Sequence, residues 1–122
     1  MKLHASGPSA YNTITGYGDD HVMVNGQRHD GSLVVLPEKI IPWPVESFDT
    51  LSPENFAFLK SLNAEIVLLG TGARQRFPHP RLTAGLTSAG IGVEVMDLKA
   101  ACRTYNILVA EERKVAAALM FR

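Results

Sequence analysis

The sequence predicts an α/β fold with a central mixed sheet in three layers, mostly parallel with one antiparallel strand, preceded by an amino-terminal β-meander. Residues 66–69 are apolar at every position, as is typical of a strand covered on both faces. Helical and strand patterns alternate over residues 52–122, and right-handed crossovers make successive strands of such an alternation parallel. Short strands separated by turns fill residues 11–36 and predict the meander.

The meander is predicted from its turns. A strand at 22–24 runs into Asn25-Gly26, a pair that accepts positive φ at both positions, as a two-residue hairpin requires. Residues 27–29 would return antiparallel, an earlier strand at 12–15 would pair as well, and a second turn leads to a strand at 33–36. Irregular structure is predicted next, because three prolines each lack a backbone donor and fix φ: Pro37, Pro42 and Pro44.

The first two helices have clear boundaries. Ser52 and Pro53 supply an N-cap hydroxyl and a proline at the first helical position. A second helix is predicted at 80–89, where Gly90 would end it in the left-handed conformation before a strand at 92–96.

The third helix is predicted to start at Asp97 and to end at Asn106. Its apolar face lies at helical spacing: Leu98, Ala101, Cys102 and Tyr105. A strand would follow at 107–110, then a turn at 111–114. Residues 115–120 are assigned to a last strand that returns antiparallel, although their alanines also favour a helix.

Composition limits the class of protein. With 122 residues we expect one domain over 1–122, with the meander at 11–36 and the alternating core at 52–122. Basic and acidic residues each number 12, so no electrostatic surface for nucleic acid is expected. The single cysteine, Cys102, suits a reducing compartment.

A cytoplasmic location is expected. Residues 1–8 contain one basic residue and no apolar run, unlike a secretory or mitochondrial presequence. No window approaches the roughly 18 apolar residues that a transmembrane helix needs, so none is predicted.

Several segments carry a family resemblance through their order and spacing: 69–72, 92–97, 103–106, 112–119, the Asn25-Gly26 turn and Trp43. Together they resemble the small-domain family that includes mitochondrial complex I assembly factor 3 and many bacterial relatives of unknown function. The resemblance implies a three-layer fold with a mixed sheet and one antiparallel strand, and it implies no catalytic mechanism. Mitochondrial members are associated with building the respiratory NADH dehydrogenase, so the implied partner is protein.

A glycine loop after the apolar strand is the candidate ligand site. Its backbone N–H groups and arginines could hold a phosphate or a carboxylate, although it lacks the Gly-Lys-Ser/Thr ending of a nucleotide loop. The alternative interpretation is a tight turn with two solvated arginines. The candidate residues are Gly70, Thr71, Gly72, Arg74, Arg76 and His79.

No catalytic residue, cofactor or metal site is predicted. Cys102 lies on the apolar face of the third helix, where a buried thiol reacts slowly. The histidines show no spacing typical of metal ligands, and we expect them in loops or on the surface: His4, His21, His29 and His79.

Two functional hypotheses follow. The first, favoured by the absence of a reactive set, is a noncatalytic interaction or assembly module that offers a surface near Trp43 to a partner protein or to a second copy. The second is a binder of a small anionic molecule, or an enzyme, that uses the loop from Gly70 to Arg76.

Overall fold

A computed structural model describes residues 10–122, so His4 and the segment used to predict location lie outside it. The described strands are Ile14–Tyr17 (β1), His21–Val24 (β2), Gln27–Asp30 (β3), Leu33–Val35 (β4), Ile40–Pro42 (β5), Ile66–Thr71 (β6), Gly92–Met96 (β7) and Val115–Met120 (β8). The helices are Pro53–Lys60 (α1), Pro80–Ser88 (α2) and Leu98–Ala110 (α3), with a 3-10 turn at Phe48–Thr50. None of the helices within 10–122 has the length and apolar character to cross a membrane.

Two sheets organise the chain, which confirms the predicted α/β class with a mixed sheet. The larger has the strand order β5-β4-β8-β6-β7, and the smaller is an antiparallel sheet of β1, β2 and β3. Two of the four ladders in the larger sheet are parallel and two are antiparallel, so the pairing is less parallel than predicted, although a single strand runs against the other four. The strand that opposes its neighbours is β4.

The prediction for the last strand was wrong in direction. We expected residues 115–120 to return antiparallel, yet β8 pairs in parallel with β6. The cause is α3, which continues through the predicted strand at 107–110 and ends at Ala110. Asn106 therefore remains helical, and Val109 extends the buried face of α3 by one turn. A whole helix now separates β7 from β8, so the connection is a crossover that yields parallel strands.

The predicted meander also loses its last strand. β1, β2 and β3 form it as expected, but β4 leaves to pair with β8 and β5 in the larger sheet. The residues of β4 are buried, whereas those of β3 are mostly exposed, so only β4 belongs in a sheet covered on both faces. The proline segment is not wholly irregular, because Pro42 ends β5 at the edge of the sheet, where a missing donor is tolerated.

Both faces of the larger sheet are covered. Alternate residues of β8 enter different cores, with Val115, Ala117 and Leu119 beneath α3 and the small sheet, and the other three beneath α1 and α2. Every residue of β8 is fully buried. β6 is likewise covered from both sides, as its apolar run predicted.

The hairpin turn and the helix N-caps predicted from the sequence are present in the structure. Asn25 and Gly26 have φ of 53° and 80°, as the hairpin requires. Ser52 accepts a hydrogen bond from the Asn55 N–H and caps α1, while Asp97 accepts one from Ala100 N at 2.8 Å and caps α3.

Polar side chains of α3 hold the small sheet in place. The Asn106 side chain accepts a hydrogen bond from Ile14 N and donates one to Ile14 O, both at 2.8 Å, so it takes the place of a neighbouring strand. The Tyr105 hydroxyl donates to Asn12 O at 2.9 Å. These bonds close part of the edge of β1.

The turn after β6 is tight. Gly72 has a φ of 84°, and a Cβ built on it would lie 2.8 Å from Phe121 O. Its carbonyl accepts a hydrogen bond from Leu98 N at 2.8 Å, which ties the turn to the start of α3. Glycine is required here by both conformation and space.

Gly72→Val is expected to destabilise the fold by about 1–3 kcal/mol, because a β-branched residue is strained at positive φ and would meet the Phe121 carbonyl. Urea denaturation measures the change. Gly85→Ala is the matched control, since nothing lies within 4 Å of its added Cβ and α2 should gain up to about 1 kcal/mol from the better helix former. An unchanged midpoint for Gly72→Val would contradict the positive φ.

Asn106→Leu should cost about 1–3 kcal/mol, because it leaves the Ile14 N–H and C=O without their partner. We expect faster hydrogen exchange at the Ile14 amide, measured by NMR. Ile107→Ala controls for helix effects, since Ile107 is exposed and its loss should change stability by less than about 0.5 kcal/mol. Equal exchange rates in parent and Asn106→Leu proteins would refute the docking role.

Candidate functional site

The polar groups of the glycine loop bind one another. The hydroxyl of Thr71, fully buried, donates to Arg74 O at 2.7 Å and accepts from Arg76 N at 3.0 Å. Nη2 of Arg76 donates to Thr71 O at 2.9 Å, and the guanidinium lies 4.7 Å from the centroid of the Phe48 ring. Nε of Arg76 is buried and has no hydrogen-bond partner within residues 10–122. The arginine thus braces the loop against the Phe48 turn.

The remaining loop candidates lie in separate surroundings. Gly70 is inside β6, where an added Cβ would sit 3.0 Å from both Ala101 Cβ and Leu119 Cδ2, so its small size admits α3. Arg74 is exposed. His79 is exposed as well, and its Nδ1 accepts from Arg81 N at 3.1 Å at the start of α2. The structure therefore does not gather the predicted cationic side chains around one point.

Trp43 lies in the interior. Its exposed fraction is 3%, and it belongs to the core that includes Phe56 of α1 and Leu86 of α2. A ring at this depth offers almost no surface to a partner, so the surface predicted around Trp43 is not exposed in this structure.

A cleft of about 500 Å³ lies where β6 and β7 end. Gly72 follows β6 and Asp97 follows β7, and the cleft brings both together with Lys99 of α3 and Tyr17 of β1. Gly72 is the only predicted loop candidate among its lining residues. The meeting of Gly72 and Asp97 could have been anticipated, because parallel neighbouring strands end at the same edge.

A groove of about 380 Å³ continues from this cleft between β1 and α3. The two share Tyr17 and Lys99. Along the groove, Tyr17 is 46% exposed and Ile107 is 53% exposed, and Arg103 lies between Lys99 and Ile107 on α3. Sequence inspection missed this groove, although positions 99, 103 and 107 repeat every four residues on the face of α3 away from its apolar stripe.

The shifted pKa values of Cys102, Tyr105 and Asp20 are explained by burial in the core or by contacts between neighbouring side chains. Burial raises the pKa of the Cys102 thiol to about 12 and also raises the pKa of the Tyr105 hydroxyl. A hydrogen bond from His21 at 2.9 Å, helped by the charge of Arg28, lowers the pKa of Asp20. Within residues 10–122, no group of three or more His, Cys, Asp or Glu side chains is arranged to hold a metal ion.

Relatives from an animal and from a bacterium both match most of this chain. A protein of Bos taurus named NADH dehydrogenase (ubiquinone) 1 alpha subcomplex assembly factor 3 is 36% identical over 109 residues, which cover 88% of this chain and 59% of that protein. An uncharacterized protein of Rhodobacter capsulatus is 35% identical over 109 residues, covering 88% of this chain and 82% of its own length. The chain thus spans about three fifths of the Bos taurus relative.

A solved structure and a family profile also match nearly the whole chain. A crystal structure of a Bordetella parapertussis protein superposes with a TM-score of 0.85 at 40% identity, covering 91% of this chain and 96% of that one. The profile described as "Protein of unknown function (DUF498/DUF598)" matches residues 14–120. The resemblance seen in the sequence is confirmed: this chain belongs to the DUF498/DUF598 family, together with complex I assembly factor 3 and uncharacterized bacterial proteins.

Proposed function

We propose that this chain is a noncatalytic protein-interaction module that assists the assembly of a larger protein complex. The observation that carries the proposal is its similarity, over 88% of its length, to a protein named as an assembly factor of NADH dehydrogenase. A module of this kind acts by presenting a stable surface to a subunit, and needs no reactive group.

The surface chemistry supports this role. The loop that could have held a small anion uses its threonine hydroxyl and the Nη2 of Arg76 for contacts within the chain. By contrast, the face formed by β1 and α3 carries exposed apolar and cationic side chains at Tyr17, Arg103 and Ile107. Exposed aromatic and arginine side chains are enriched where proteins bind one another.

Partner capture tests the proposal. The tagged chain, produced at its natural level in its own cells, should copurify at moderate salt with at least one protein in a fixed molar ratio. A second preparation carrying the tag alone is the control for nonspecific capture. Because assembly requires contact with a subunit, repeated recovery of the bare chain after mild cross-linking would overturn the proposal.

Cys102 should be inert in the native protein. With its pKa raised from 9.0 to about 12 by burial, the thiolate fraction at pH 8 falls roughly a thousandfold below that of an ordinary thiol. We expect Ellman's reagent to label the urea-unfolded chain fully within minutes and the folded chain only on the timescale of unfolding. Rapid labelling of the folded chain would show a reactive cysteine and weaken the noncatalytic assignment.

A further inference from the structure

The edge of β1 is only half closed. Asn106 occupies the backbone groups of Ile14, as described above. Further along the strand, Gly18 N donates to His21 O at 2.9 Å, so Gly18 directs its backbone toward β2. Along an antiparallel pair, facing residues alternate between hydrogen-bonded and non-hydrogen-bonded pairs. Since Gly18 bonds to β2, its neighbour Tyr17, paired with Val22, turns its backbone N–H and C=O toward the open edge.

The wall of the groove opposite β1 is formed by α3, which carries two cationic residues followed by an apolar one. Lys99, Arg103 and Ile107 are exposed and succeed one another at four-residue intervals along α3. Neither Lys99 nor Arg103 forms an ion pair with any residue in the described range 10–122, and no acidic residue lines this groove. The groove therefore offers, beside a strand edge, two positive charges that form no ion pair among the described residues, while the carboxylates of Asp19 and Asp97 line the neighbouring cleft together with Lys99.

The spacing of this stripe matches an extended chain. Residues four apart on an α-helix rise by about 6 Å, while alternate residues of a β-strand are about 6.7 Å apart. Successive alternate side chains of a bound strand would therefore meet Lys99, Arg103 and Ile107 in turn.

We propose that this groove binds an extended acidic segment of a partner protein, with two carboxylates and one apolar side chain at alternate positions. The segment pairs with the backbone of Tyr17, its carboxylates contact Lys99 and Arg103, and its apolar side chain lies against Ile107. This inference rests on the proposed function and specifies the partner's chemistry.

A displayed library of random short peptides, selected on the immobilised full chain, tests the inference. Recovered peptides should be enriched in two acidic residues and one apolar residue at alternate positions. Fluorescence anisotropy of such a peptide should show affinity that falls with added salt and falls at least about tenfold in the Lys99→Glu, Arg103→Glu double variant. Recovery of no peptides, or of peptides without the acidic pattern, would overturn the inference.

Reversing the charges of the peptide as well as those of the protein distinguishes a loss of binding from a loss of folding. The same peptide with lysines in place of its acidic residues should bind the double variant better than the parent protein, because the pairs are restored in reverse. Lys60→Glu on α1 and Phe77→Ala, an exposed aromatic outside the groove, are the controls and should change affinity less than about twofold. Equal binding to parent and double variant, or a dimer of the parent that the double variant dissociates, would reject the peptide site.

Repeating the partner-capture experiment with the double variant shows whether the groove proposal or the general interaction role has failed. If the parent chain recovers a partner and the double variant still does, the groove assignment fails while the interaction role stands. If the parent recovers none, the interaction role itself fails.

Discussion

The complete burial of β8 is the constraint on which the other elements depend. It lies in the middle of the larger sheet, between β4 and β6, with no residue reaching solvent. Because side chains alternate along a strand, a shift of one residue would exchange Leu119 with the alanines on the opposite face and spoil both cores. The three central alanines, Ala116 to Ala118, project only a methyl group on either face. The register of β8 thereby positions α3 on one side and α1 and α2 on the other.

This constraint reaches the surface through α3. The buried face of the helix is fixed against β8 and β6, where Gly70 lets Ala101 approach the sheet closely. The outer face is then fixed as well, and the pair of hydrogen bonds between Asn106 and Ile14 holds β1 beside it. The groove between them is thus formed before any partner arrives, so binding an extended segment requires ordering of the segment and little rearrangement of the protein.

The sequence predicted elements whose chemistry is local. Residues 66–69, the Asn25-Gly26 turn and the caps at Ser52 and Asp97 all follow from neighbouring residues, and the structure confirms them. Pairings between distant segments were harder: β4 departs from the meander because β8, more than 80 residues later in sequence, offers a partner. The strand predicted at 107–110 depended on ending the helix at Asn106, whereas in the structure Asn106 is helical and its side chain bonds Ile14, a contact that no local pattern reveals.

Two arginines show why the candidate site could be foreseen only in part. Arg76 and Arg103 have the same charge, and adjacency to a glycine loop made the first the stronger candidate. In the structure Arg76 donates to Thr71 O and lies over the Phe48 ring, so a ligand would have to compete with contacts that already stabilise the loop. Arg103 is exposed, lines an open groove and has no ion-pair partner among residues 10–122. A carboxylate that binds Arg103 breaks no ion pair among these residues, so the charge on the exposed face of α3 is more available than the charge in the loop.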